Sequence, residues 1–240
     1  MPAFQTSFTP RPHHWLISIA ACLLFTALPA AACKVKAIFV QPPVEVPEKA
    51  FLFTGEKSEE IELPQRNLSV AVELPPGDLV VAVLPAKPTQ AEIPAAAPKI
   101  KIPDAWTSCI LLFFHDPSNK VFPARIIPVN TSSADFPLGH IVMFNVSPAT
   151  VAAKFGSAVI QVKPGQSGTV KPTGSIDGDY SIAIDCAYPG DKEPTAVCRS
   201  TWPLEKNARQ ILFVTPVPDQ KVPRVWSVLD HPEPPGKKDK

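Results

Sequence analysis

Proline is the residue that most restricts what this chain can become: 31 of its 240 positions carry it, more than twice the usual ~5%. Each proline fixes φ and removes a backbone donor, which closes helix interiors and central-strand positions to it. Glycine is scarce, at 10, while apolar residues make up 45%, so the composition is not that of a disordered chain. High proline beside many Val, Ile and Phe describes short β-strands separated by proline-bearing turns. No segment longer than a turn or two keeps a 3.6-residue period. "SPATVAAKFG", residues 147–156, is the best helical candidate.

Alternation of period two dominates after residue 37. "NLSVAVEL" places Leu68, Val70, Val72 and Leu74 on one face; "PPGD" follows, with Pro76 and Gly77 suited to the centre of a type II turn, and "LVVAVL" returns. This reads as a hairpin, with earlier strands at "AIFVQ" and "AFLFT". Residues 85–103, "PAKPTQAEIPAAAPKIKIP", are proline- and alanine-rich and read as a linker, the alternative being a long loop plus an edge strand within one domain. Beyond it nine short strands are expected, from "TSCILLFFH" to "RVWSVLD". Without intervening helices, parallel βαβ folds are excluded. The expected architecture is all-β: a small N-terminal β module over 33–84, the linker, an Ig-like β-sandwich over 104–230, and a frayed tail over 231–240.

The first 32 residues read as a signal peptide. Arg11, His13 and His14 precede the apolar run Trp15 to Leu28. As a helix this run is about 21 Å long, short of the ~30 Å hydrocarbon core, so it suits a signal core better than a membrane span. Pro29 breaks it, and Ala30–Ala32 supply the small residues a signal peptidase reads. Export is therefore expected, to the periplasm, cell surface or medium. Cleavage after Ala32 would make Cys33 the first residue, the position that carries acyl groups in a bacterial lipoprotein. A good lipobox has Leu where Ala30 stands, so simple secretion, with cleavage at Ala32 or Ala37, is favoured. Any membrane association would come from that anchor alone.

Five cysteines are present: Cys22, Cys33, Cys109, Cys186 and Cys198. In "DYSIAIDCAYPGDKEPTAVCRSTW" the faces Tyr180/Ile182/Ile184/Cys186 and Ala196/Cys198/Ser200/Trp202 flank a turn-rich segment, so Cys186 is expected roughly opposite Cys198 in a hairpin, joined by a disulfide. The pairing of Cys33 and Cys109 is left open. No CxxC exists and His115, His140 and His231 are scattered, so neither metal nor cofactor is expected.

The succession "GHIVMFNVSPATVAAKFGSAVIQVKPGQSGTVKP", then Trp202-Pro203, "NARQILFVTP" and "RVWSVLD" resembles an exported β-sandwich family of bacterial cell envelopes, over about residues 106–230. That resemblance implies the fold and the compartment; the family has no assigned activity and brings no catalytic residue with it.

Chemistry is thinly signalled. "PGQSGT" lacks the spacing of a nucleophile elbow and reads as a hairpin turn. Asp116-Pro-Ser-Asn is a turn in which Asp116 accepts backbone N–H bonds, leaving His115 as a strand-end residue. Asp177 and Asp179 flank Gly178 but lack the further ligands of a calcium loop. Trp106, Trp202 and Trp226, with Tyr180 and Tyr188, admit a carbohydrate-binding reading in which Trp106 and Trp226 face a ligand, though core packing is favoured for each. The sequons at Asn67, Asn130 and Asn145 read as chance. With 23 basic and 22 acidic residues and no basic stripe, nucleic acid is excluded as a partner. The leading expectation is a non-catalytic secreted or envelope module that binds an unidentified protein or glycan, for instance by strand addition. A carbohydrate- or wall-binding module is the alternative, and a hydrolase assembled only in three dimensions is the remote one.

Overall fold

The computed structural model describes residues 32–43, 45, 47–89, 93–132, 136–174 and 178–232. The expected signal peptide therefore lies outside the described residues except for Ala32, as do Asp177 and most of the expected tail.

The described chain is all-β. The first eight strands are β1 (Cys33–Gln41), β2 (Lys49–Phe53), β3 (Ser58–Glu62), β4 (Val72–Leu74), β5 (Leu79–Leu84), β6 (Lys99–Ile102), β7 (Ser108–His115) and β8 (Ala124–Asn130). The second eight are β9 (Ile141–Asn145), β10 (Thr150–Phe155), β11 (Ala158–Val162), β12 (Ser167–Val170), β13 (Asp179–Ala187), β14 (Thr195–Pro203), β15 (Arg209–Thr215) and β16 (Arg224–Asp230). They form four four-stranded sheets: β3-β2-β5-β6, β4-β1-β7-β8, β12-β9-β15-β16 and β11-β10-β13-β14.

The second pair of sheets repeats the first: adding eight to each strand number converts one arrangement into the other. Strand directions repeat too. β1 runs parallel to β7 as β9 does to β15, and the remaining ladders are antiparallel in both halves. The chain is thus two sandwiches of one topology, the first built from residues 33–130 and the second from 141–230.

Burial explains how they join. Val35, Ala37 and Phe39 of β1 and Cys109, Leu111 and Phe113 of β7 face Leu52, Ile61, Val81 and Val83 across the first sandwich. The alternate residues, Ile38 and Val40 of β1 and Ile110, Leu112 and Phe114 of β7, turn the other way. There they share one cluster with Val142, Phe144, Ile211, Phe213 and Val228 of the second sandwich. Phe213 stacks on Phe144 at 5.9 Å between centroids and lies 4.6 Å from the Trp226 ring. The inner sheets of the two sandwiches therefore pack face to face, and the molecule is four layers with three apolar seams. A strand covered on both faces needs an unbroken apolar run, which is what "CILLFF" in β7, "IVMF" in β9 and "ILFV" in β15 provide. Outer-sheet strands such as β10 and β13 alternate buried and less buried residues instead.

The structure corrects several sequence expectations. The division into a 33–84 module and a 104–230 sandwich does not follow the strand pairing, because β7 and β8 complete the sheet begun by β1 and β4. Residues 85–103 do not behave as a linker. β6 pairs with β5, and Ala97 and Ile93 pack on Phe51, Phe53, Ala82 and Leu84, sealing the outer face of that sheet. The "PPGD" turn is present, with Gly77 at φ 110°, but β4 and β5 enter different sheets, so it links layers rather than closing a hairpin. The "PGQSG" turn does the same between β11 and β12. The helical candidate at 147–156 is strand β10, with Val151, Ala153 and Phe155 inward. Its alanines fit either period, and the packing of Phe155 decides for the strand.

Two sites hold the second sandwich's corners. Asn145, 1% exposed, donates from Nδ2 to the carbonyls of Ala149 (2.7 Å) and Val162 (3.0 Å) and accepts at Oδ1 from Ser147 N–H (3.1 Å) and Oγ–H (2.6 Å). Its sequon is thus a buried polar joint. Asn145→Ala strands those partners and is expected to cost about 3 kcal/mol, read as a lowered urea midpoint at unchanged m-value. Gly156 sits at φ +65°, and a Cβ there would lie 1.8 Å from the Thr173 carbonyl oxygen. Gly156→Ala combines a left-handed backbone with overpacking against main chain, and a similar loss of about 3 kcal/mol is expected from the same denaturation experiment.

Candidate binding cleft

At one end of the central seam the two sandwiches part to leave a cleft of about 540 Å³, within the size range of small-ligand sites. β1 brings Lys34 and Lys36 to it, the start of β7 brings Ser108, Thr131 follows β8, and Arg209 and Asp230 come from the start of β15 and the end of β16. The alternation of "CKVK" sends Val35 into the first core and Lys34 and Lys36 to the opposite face, where the apolar seam ends.

An ion triad spans the junction. Asp230 accepts from Lys36 Nζ at Oδ1 (2.7 Å) and from Arg209 Nη1 at Oδ2 (3.2 Å), while Arg209 Nε donates to the Phe136 carbonyl. The Arg209 and Asp230 side chains are 7% and 5% exposed. Lys36 also donates to the His231 carbonyl at 3.0 Å. Ser108 Oγ accepts from Thr131 Oγ1 at 3.0 Å.

These bonds leave donors over. Among the described residues, Lys36 uses two of its three ammonium protons and Arg209 two of its five N–H groups, and Ser108 donates its hydroxyl proton to none of them. Lys34 borders the same cleft, and among its described lining residues Asp230 is the carboxylate. The arrangement is rich in hydrogen-bond donors, and the Asp230 carboxylate is engaged at both oxygens. A larger groove of about 780 Å³ runs along β3. It mixes Glu48, Glu60 and Glu62 with Lys49 and Arg66, and its Lys49–Glu60 pair is half exposed, where ion pairs contribute little. The smaller cleft is the better built of the two.

The residues singled out by sequence fall elsewhere. Trp106 is half buried against the first core, Trp202 against the second, and Trp226 lies in the central seam on Phe213. Neither Trp106 nor Trp226 forms part of a flat exposed platform with the other. Asp116 accepts from Ser118 N–H (3.0 Å) and Oγ–H (2.6 Å), which holds its carboxyl below the usual range, and His115 ends β7 in solvent. Among the described residues no three His, Cys, Asp or Glu side chains converge as a metal site would require.

The cysteine register differs from the sequence expectation in detail. β13 and β14 do form a hairpin, but Cys186 pairs with Thr195 and Cys198 with Ile184, with Val197 bulged out between them. Cys186 and Cys198 are therefore diagonal rather than directly opposite. The turn Tyr188-Pro-Gly-Asp191 sets this register, with Gly190 at φ 91° and Asp191 N–H donating to the Tyr188 carbonyl. Cys33, the candidate lipid-bearing residue, is 4% exposed and faces the first core.

No protein-family model matches the chain, and no curated protein matches it by sequence.

Proposed function

We propose that this chain is a non-catalytic binding module of the exported class, and that its ligand presents an oxyanion, carboxylate or phosphate, to the cleft between the sandwiches. One observation carries the reading: Lys36, Arg209 and Ser108, each with donors to spare among the described residues, line one cleft where two packed sandwiches meet. Charge-assisted bonds to a partly desolvated oxyanion are the strong kind, and a cleft floored by two packed sheets needs no reordering to make them. The non-catalytic part is supported by how the cleft's charges are used: Asp230 is a strut between Lys36 and Arg209. The signal-like segment and the resemblance noted above support export and an envelope location. A protein or glycan bearing carboxylates or phosphates fits the same chemistry. The Ig-like reading rests on the central β2–β5 and β10–β13 pairs, which correspond to the B–E pair of that fold, although the flanking strands differ.

Calorimetric titration of the full chain with inorganic phosphate and with a short polyglutamate tests this reading. Saturable binding is expected with at least one of them, weakened at least ~tenfold by Lys34→Gln combined with Ser108→Ala. Equal binding by the variant, or no binding of either probe at low salt, would contradict it.

A further inference from the structure

We propose that Cys33 and Cys109 are a disulfide-forming pair whose oxidation staples the first residue of β1 to β7. The parallel register sets Val35 beside Cys109, so Cys33 lies two positions earlier on the same face of the same sheet. Both side chains point into the first core, 4% and 1% exposed, and belong to the same buried cluster. This pair lies in the first sandwich, away from the Cys186 and Cys198 that the sequence pattern favours.

A diagonal pair stands ~7–8 Å apart, beyond what a disulfide spans without backbone movement, so one partner must draw in. Cys33 is the residue placed to do so: it is the first of β1, and the preceding Ala32 belongs to no strand. The two thiols are also unequal. Interaction with Cys109 lowers the pKa of Cys33 against the opposing effect of burial, while the same interaction and burial raise that of Cys109. Cys33 is therefore the thiolate that opens the reaction.

The oxidant is an exchangeable disulfide, RSSR. The Cys33 thiolate attacks one sulfur of RSSR, forming a mixed disulfide and releasing RS⁻. Cys109 then gives up its proton and attacks the Cys33 sulfur, forming the Cys33–Cys109 bond and releasing the second RS⁻. Two electrons pass from the pair to RSSR, and the two thiol protons leave with the released thiols. A thioether-linked lipid on Cys33 would remove that sulfur from the reaction, so the staple and the lipid anchor exclude each other. The staple is independent of the oxyanion reading.

The test is oxidation of the reduced full chain with glutathione disulfide, followed by alkylation under denaturing conditions and peptide mapping by mass spectrometry. A Cys33 peptide joined to a Cys109 peptide, two hydrogens lighter than the reduced pair, is the expected product. The melting temperature should rise by about 10 °C, because the bridge closes a long loop, and fall back on reduction. Cys109→Ala, which keeps an apolar residue in the core, should lose that rise. Recovery of Cys33 and Cys109 both alkylated overturns the proposal, as does Cys33 joined to Cys22, Cys186 or Cys198. The same rise in Cys109→Ala overturns it, and so does a lipid-bearing Cys33 in protein from the native host.

Discussion

Truncating Phe213 to alanine is expected to lower the unfolding free energy by about 4 kcal/mol, the middle of the range for a buried aromatic. Phe213 is fully buried at the centre of the seam between the two inner sheets, stacked with Phe144 and in contact with Trp226. The seam can close little around the void, because side chains from two separately built sandwiches line it. The loss should appear in probes of both halves. Trp106 reports from the first core and Trp202 from the second, so site-selective fluorescence in urea should show both signals moving to the same lower midpoint. Movement of the second-sandwich signal alone would mean that the seam does not couple the halves.

The second large effect concerns the triad at the cleft. Asp230→Ala leaves Arg209, 7% exposed, and Lys36 without their shared carboxylate. Removing one partner of a buried ion pair costs ~3–5 kcal/mol, and a loss of about that size is expected from denaturant unfolding of the variant. The triple change Lys36→Met, Asp230→Leu, Arg209→Met removes every charge at once and is expected to be nearly neutral for stability. The same triple variant should lose oxyanion binding. A stable triple variant that still binds phosphate or polyglutamate would disconnect the triad from recognition; a collapsed one would make the triad primarily structural.

How much of this was readable from the sequence differs between elements. Proline content and period-two alternation give the all-β class, and the nine strands expected beyond residue 106 are all present. β10 was hidden because Ala152 and Ala153 suit either period. The pairing of strands was far less legible. Alternation says that Val72 and Leu74 lie in a strand, and "PPGD" says that a turn follows; neither says whether the next strand joins the same sheet. The parallel β1–β7 contact joins residues about 75 positions apart in the chain, and no local signal reaches that far. The topological repeat leaves no visible sequence period, since equivalent positions need share only burial: Ala37 of β1 stands where Met143 of β9 does, and Phe39 where Asn145 does.

The site was partly written in the chain. Lys34 and Lys36 interrupt an apolar strand at period two, which marks a face that is apolar further along and polar at its start. Arg209 and Asp230 each border an apolar strand, in "NARQILFV" and "RVWSVLD", and neither carries a signal that the other lies beside it. Cys33 shows the same limit. Its neighbours fit a peptidase site and its alternation with Val35 and Ala37 fits a core strand, and nothing near it in the chain points to Cys109.

The central claim is that two sandwiches of one topology are joined through an apolar seam into a single four-layer body, with the cleft at its end. Differential scanning calorimetry of the full chain tests it most directly. The account predicts one transition whose calorimetric and van't Hoff enthalpies agree, shifted as a whole to lower temperature by Phe213→Ala. Two separate transitions, with Phe213→Ala moving only one of them, would contradict it.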